Sequence, residues 1–421
     1  MTELTDRLDE LAVQDLQDKH NQIKEILKDE RNKSTLQNVY DTISSRLKIK
    51  DIDKNRIDIT LATALSNQLP GTPIWLFLVG ASGDWKTTLV SSLEGLPNVK
   101  KVDQMTANTL ASGKPDVPDL GSELVNKSSI LIFLDLASLT SANKEEKAAI
   151  WGQFRSLYDG DIYKRTGAGI NKAYSNCHVT IIACTTQAIR DEILIHAQLG
   201  TRELLYDTEA NPEDNDEKME KAWENEEYER EMKEEFTNII TNFIKWHPIK
   251  KIVIPEEIKQ FCKKEANRLT ILRASGAVDH NNRELINPVC PEVPTRLIKQ
   301  LKRIYIALKS LDENYSDEKA KQIISHIVDS TGDKVRQMIL NFLQNHFDSW
   351  YKIPDLQFNL KLGRNSIKTQ LETLWNLNII EKKVEQERIG GYYDDIDHVL
   401  KGGRIEEVAY YRFITTTNES L

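Results

Sequence analysis

The chain has 421 residues, of which 39% are hydrophobic and 29% charged, and its formal net charge is −9. That length predicts two or three domains, and no apolar run approaches the roughly 18 residues of a membrane span, so no membrane association is expected. The four cysteines (Cys177, Cys184, Cys262, Cys290) are scattered without metal-ligand spacing, and MTELTDRLDELAVQDL at the N-terminus lacks a secretory apolar core; both features predict a cytoplasmic protein with reduced thiols.

Residues 1–55 are polar with helical spacing (Leu4, Leu8, Leu11; Ile23, Ile26, Leu27). They predict two or three helices, serving either as a partner-binding or subunit-packing element or as a solvated collar on the next domain. Residues 56–206 alternate apolar strands (75–79, 129–135, 179–184) with helical segments, the pattern of a parallel sheet covered on both faces.

The first of these strands opens onto Gly80-Ala81-Ser82-Gly83-Asp84-Trp85-Lys86-Thr87-Thr88. A phosphate-binding loop reads Gly, four residues, Gly, Lys, then Ser or Thr. Gly80, Lys86 and Thr87 fall in place, but Trp85 stands where the second Gly belongs. Such a loop turns its backbone N–H groups onto phosphate oxygens, and the helix after it adds its positive dipole end. Lys86 is the candidate to neutralise the β- and γ-phosphates of ATP, and the Thr87 hydroxyl is a candidate Mg2+ ligand. Gly80 and Gly83 free the turn. Trp85 forfeits that freedom: with helical backbone angles the loop still closes, and otherwise nucleotide affinity suffers. The alternative is a buried strand, a turn and an amphipathic helix without a ligand.

The second strand ends in Asp135, a candidate to hold magnesium directly or through water. No Glu follows it; Leu136, Ala137 and Ser138 do. A base must come from elsewhere, with Glu145 and Glu146 as candidates or simply as a solvated helix start. The run Lys164 to Gly169 is a basic, glycine-rich turn, suited to phosphate contact in DNA or to a plain hairpin. The third strand ends in Thr185, Thr186 and Gln187, which either position an attacking water or cap the helix starting near Ala188. Arg202, in Gly200-Thr201-Arg202, is placed after a helix, where it can reach a neighbouring subunit's γ-phosphate or form a surface salt bridge.

From Asp207 to Phe236 there are fourteen acidic and four basic residues, so the rest of the chain is close to neutral. The segment 207–236 is expected to be an exposed helix or flexible insert, either a solvated excursion or a DNA mimic or regulatory flap. Residues 237–312 read as a helical lid, where Pro294-Thr295-Arg296 starts a helix whose Arg can contact the nucleotide. Residues 315–421 read as a separate domain: helix 335–347, short helix 353–360, glycine turn 362–364, helix 365–375, then strands near 377–383 and 408–414. That is a winged helix-turn-helix pattern. Its recognition helix is expected to expose Arg364, Asn365, Ser366, Lys368 and Thr369 to DNA, and to bury Ile367, Leu371 and Leu374. From Asp333 to Lys383 there are eight basic and five acidic residues, a modest excess that suits DNA contact or protein docking.

With these pieces in order, the chain resembles the AAA+ P-loop ATPases, and within them the ATPases of phages, plasmids and integrated elements that carry a C-terminal helix-turn-helix. The likeness runs roughly from 72 to 310. It includes Thr106 to Gly113, Asp135 to Ser141, Tyr158-Asp159-Gly160 with Lys164 to Gly169, Gly200 to Arg202, and Leu272-Arg273 with Pro294 to Arg296. The resemblance implies an α/β P-loop NTPase core with a helical lid, N-terminal helices and a C-terminal winged-helix domain. It implies phosphate and magnesium roles for Lys86 and Thr87, and the Walker B carboxylate for Asp135. Thr186 matches sensor 1, Arg202 the arginine finger and Arg296 sensor 2. It also implies ATP and Mg2+ as cofactors, and a homo-oligomeric ring, often a hexamer. The function so implied is an ATPase on DNA, helicase-like or replication-initiating. The alternatives are a nucleotide-switched DNA-binding regulator with a degenerate site, and a defence or chaperone-like ATPase acting on protein.

Overall fold

A computed structural model describes residues 34–114, 116–136, 139, 142–165, 169, 171–196, 200–208, 215–276, 286–394 and 399–414. The helices expected within 1–33, the tip of the glycine-rich turn and residues 209–214 of the acidic segment lie outside the described residues. In chain order the elements begin with α1 (Leu36–Arg46), α2 (Asp51–Ser66), β1 (Trp75–Val79), α3 (Lys86–Ser91), β2 (Val99–Lys101), β3 (Ser128–Phe133), α4 (Lys144–Tyr158), β4 (Ile162–Arg165), β5 (Asn171–Tyr174) and β6 (His178–Thr185). They continue with α5 (Ile189–His196), β7 (Leu204–Asp207), α6 (Asn215–Asn225), α7 (Glu229–Trp246), α8 (Glu256–Arg273), α9 (Thr295–Leu311), α10 (Asp317–Thr331), α11 (Lys334–Asn345), β8 (Tyr351–Lys352), α12 (Ile353–Leu360), α13 (Arg364–Asn376), β9 (Ile380–Asp394) and β10 (Val399–Phe413). The chain forms two compact units, one made of residues up to 187, 208–253 and 303–320, the other of 188–207, 254–302 and 321 onward.

In the first unit four parallel strands run in the order β2-β3-β6-β1. The residues of β1 are all buried, and β3 and β6 are buried from their second residue on, which is why these strands are unbroken apolar runs. Val79 pairs with Thr185 and Phe133 with Ala183. The carboxyl ends of β1, β6 and β3 are therefore level along one edge. α4 supplies Ile150, Trp151, Phe154 and Leu157 to the core. Phe154 meets Trp75, Phe133 and Trp151 edge-on at 5.6, 6.1 and 5.7 Å, the geometry that aromatic quadrupoles favour. The Trp75 indole N–H, buried with the ring, donates to the Val179 carbonyl at 2.8 Å. The hairpin β4–β5 is antiparallel and separate from the main sheet.

α2 crosses the expected boundary at residue 55 as one helix, buried over most of its length. Its polar residues are inside. Thr60 and Thr63 donate to the carbonyls of Arg56 and Ile59, one turn back, at 2.8 and 2.7 Å. Asp58 is fully buried. It accepts from the Tyr40 and Tyr315 hydroxyls and pairs with Lys319 Nζ at 2.6 Å. The Tyr40 phenol is held far above its ordinary pKa, by burial first and then by the Asp58 charge. This cluster fastens α1 and α2 to residues 315–319. Residues 36–66 are thus part of the unit's core rather than a collar.

From residue 215 the acidic segment is helical and largely exposed, and its end is anchored. α7 runs past residue 236 to Trp246 and buries Met232, Phe236, Ile240, Phe243 and Ile244, one stripe at helical spacing. Glu235 takes two hydrogen bonds from the Arg46 guanidinium at 3.0 and 2.7 Å, and Asn225 Nδ2 donates to the Arg46 carbonyl at 2.6 Å. The helical stretch 215–246 is therefore docked on α1, with its charges on the outer side.

In the second unit Arg336 is the joint. Its buried guanidinium donates to the carbonyls of Ile271 and Leu272 at 2.6 and 3.1 Å and to Gln370 at 2.8 Å. It thereby satisfies the orphan carbonyls at the end of α8 and links α8, α11 and α13. Burial pushes its pKa down to about 10. α11, α12 and α13 carry an antiparallel sheet of order β8-β10-β9, with Ile380 opposite Phe413. Ile367, Leu371 and Leu374 of α13 are fully buried. No helix among the described residues is long and apolar enough to cross a membrane.

The Asp58 cluster generates a prediction. Asp58→Ala removes the buried carboxylate that Tyr40, Tyr315 and Lys319 share. It is expected to lower the free energy of unfolding in urea by about 3 kcal/mol. A loss under about 1 kcal/mol would show that the cluster fastens nothing.

Candidate functional site

The level ends of β1, β6 and β3 open into a cleft of about 520 Å³, bordered by Ser82 to Thr88, Leu134, Asp135, Cys184, Thr185 and Thr186. Ligands of parallel α/β sheets bind at such carboxyl ends. Lys86, Thr87, Asp135 and Thr186, drawn from three separate strand ends, border one space. Asp135, Thr87 and Thr186 are exposed to it, whereas Lys86 is buried. Lys86 Nζ folds back onto the Ala81 carbonyl, and burial lowers its pKa from the ordinary lysine value. An incoming phosphate would replace that carbonyl with a full negative charge. Thr87 and Asp135 present hydroxyl and carboxylate oxygens, the hard donors that suit Mg2+. Cys184, under the cleft, has its thiol pushed up to about 12 by burial; it is a protonated packing group, not a nucleophile.

The loop is built for close approach. Gly80 has no room for a side chain: a Cβ there would lie 1.8 Å from Thr208 Oγ1. Gly80 N donates to the Thr185 carbonyl at 3.2 Å, tying the loop's start to β6. Gly83 has φ +80° with nothing around it, a position for glycine alone. Trp85 does not keep helical angles. Its φ is +26° and ψ +11°, a left-handed conformation that strains any residue with a Cβ by about 1–3 kcal/mol. The turn at this position is one that glycine would adopt without that strain.

The remaining wall comes from elsewhere. Leu47, and Ala222, Asn225, Glu229 and Met232 of the acidic segment, border the same cleft. Glu145 and Glu146 do not: they sit on the first turn of α4. Among the described residues, Glu229 is the glutamate bordering the cleft. The apolar stripe of α7 could have signalled this wall; its acid count concealed it.

Arg202 and Arg296 belong to the second unit, where both flank Gly200. A Cβ on Gly200 would lie 3.5 Å from Arg202 Nη1 and 3.8 Å from Arg296 Nη1. Arg202 Nη1 donates to the Gly200 carbonyl at 2.6 Å. Arg296 pairs with Glu292 at 2.5 Å, and Glu292 also meets Arg273 at 3.4 Å. Arg364, Asn365 and Ser366 are exposed at the start of α13, while Lys368 and Thr369 are half-buried. Thr369 also borders a cavity shared with Arg336 and Gln370.

No protein-family model matches the chain, and no curated protein matches it. Among solved structures it is similar to a "putative ATPase" from Cytophaga hutchinsonii, at 13% identity over 75% of this chain and 91% of that one, with a TM-score of 0.39. A likeness that slight carries no argument. The class defined by the fold itself is a mixed α/β protein with a central parallel sheet.

Trp85→Gly removes the strained side chain from the loop. The strain is present before any ligand binds, so its relief is expected to raise the free energy of unfolding in urea by about 1–3 kcal/mol. No gain, or a loss, would show that the backbone at 85 is not strained.

Proposed function

We propose that this protein is a nucleotide-binding P-loop ATPase of the AAA+ kind that acts on DNA. The observation that carries the reading is the convergence of Lys86, Thr87, Asp135 and Thr186 on one cleft at the level ends of three parallel strands. Lys86 and the loop's backbone N–H groups would hold the β- and γ-phosphates. Thr87 and Asp135 would hold Mg2+, which when bound offsets phosphate charge. Thr186, just past the end of β6, would orient water toward the γ-phosphate. The place of Arg202 and Arg296 as finger and lid arginines, and the homo-oligomeric ring, rest on the family resemblance.

The DNA reading is supported by the order α11-β8-α12-α13-β9-β10, which is that of a winged helix-turn-helix. The exposed Arg364, Asn365 and Ser366 open its second helix. A second reading, a nucleotide-switched DNA-binding regulator with slow turnover, is favoured by the strained Trp85.

Two measurements test this. Wild-type protein is expected to hydrolyse ATP, DNA to raise the rate, and Lys86→Ala to lower it at least about 100-fold. Nucleotide binding without turnover above that variant would leave the switch reading in place of the motor. Arg364→Ala is expected to weaken duplex DNA binding and to reduce the slope of log K against log salt by about one. An unchanged slope would remove Arg364 from the interface.

A further inference from the structure

A phosphate loop with a tryptophan in place of its second glycine needs something to hold the left-handed turn, and the structure places one side chain there. Arg56 projects from α2 with only 2% of its surface exposed. Its Nη1 donates to the Asp84 carbonyl at 3.2 Å and to Asp84 Oδ1 at 3.1 Å. Its Nη2 pairs with Asp53 Oδ1 at 3.1 Å. The guanidinium carbon lies 4.5 Å from the centroid of the Trp85 ring. One planar group therefore grips the residue before Trp85 by main chain and side chain and covers the indole itself. The Trp85 Nε1–H finds no acceptor among the described residues, so the ring is held by stacking rather than by a hydrogen bond.

The brace is itself anchored. Asp53 Oδ2 accepts from the Lys50 backbone N–H at 2.9 Å, closing the start of α2. Asp58, two residues after Arg56, fastens the same helix through Tyr40, Tyr315 and Lys319. Lysine cannot replace this arrangement: a point charge lacks both the planar fork and the stacking face.

We infer that Arg56 is a positioning residue of the nucleotide site, which holds the Asp84–Trp85 turn in its left-handed form and so stands in for the conformational freedom of the missing glycine. This rests on the nucleotide reading of the cleft. Without Arg56, Trp85 relaxes toward negative φ, and the turn that brings the Lys86 backbone N–H onto the Asp84 carbonyl opens. With glycine at 85 the turn needs no brace.

The test is a double-mutant cycle with Arg56→Lys and Trp85→Gly, reading MgADP affinity by calorimetry and folding by urea denaturation. Arg56→Lys keeps a cation beside Asp53 and Asp84, so the chain retains charge balance. It is expected to weaken MgADP binding at least about tenfold in the wild-type background. In the Trp85→Gly background the same change is expected to cost less than about threefold. An equal loss in both backgrounds, or no loss in either, would overturn the brace. If Arg56→Lys does not fold, Arg56→Gln replaces it in the same cycle. Absence of MgADP binding by both wild type and Trp85→Gly would instead overturn the nucleotide reading of the cleft, and the inference with it.

Discussion

The structure depends on the parallel placement of β6 between β1 and β3. Because Val79 pairs with Thr185 and Phe133 with Ala183, the loop after β1, Thr186 and Asp135 emerge at one edge at similar height. Residues about fifty and a hundred positions apart in the chain thereby border one cleft. Sliding one strand by two residues would move its end by about 7 Å and take its side chain out of the cleft. The apolar runs that make the strands are therefore also what aligns the chemistry.

The second determinant is a buried helix rich in polar groups. α2 carries Arg56 and Asp58 into the interior, where unpaired charge is costly. Both are compensated, Asp58 by two hydroxyls and Lys319, Arg56 by Asp53 and Asp84. Asp58 fixes the helix to the unit, and Arg56 carries that fixity to the phosphate loop. Helix position and loop shape are thus linked through two residues one turn apart or less.

Much of the cleft was legible in the sequence, because the groups that border it cluster at fixed offsets from strand ends. Lys86, Thr87, Asp135 and Thr186 all followed from apolar runs ending in polar residues. The backbone angle of Trp85 was not legible, since the same letters allow a helical or a left-handed turn. Arg56 and Asp58 were hidden for another reason: their partners include Asp84, 28 residues on, and Tyr315, 257 residues on. The acidic segment misled through its charge count. Met232, Phe236, Ile240 and Phe243 form a buried stripe within it and beyond it, and that stripe, not the charge, decides where the helix lies.

The central claim is that the cleft holds a magnesium–nucleotide complex despite Trp85. A structure of the wild-type protein determined with Mg2+ and a non-hydrolysable ATP analogue tests it most directly. Phosphate oxygens are expected against backbone N–H groups of the loop, with the Lys86 N–H released from the Asp84 carbonyl and Lys86 Nζ moved from the Ala81 carbonyl to the phosphates, and the ion held by Thr87 and Asp135. An empty cleft under saturating analogue, or nucleotide bound elsewhere with Lys86 still on Ala81, would contradict it.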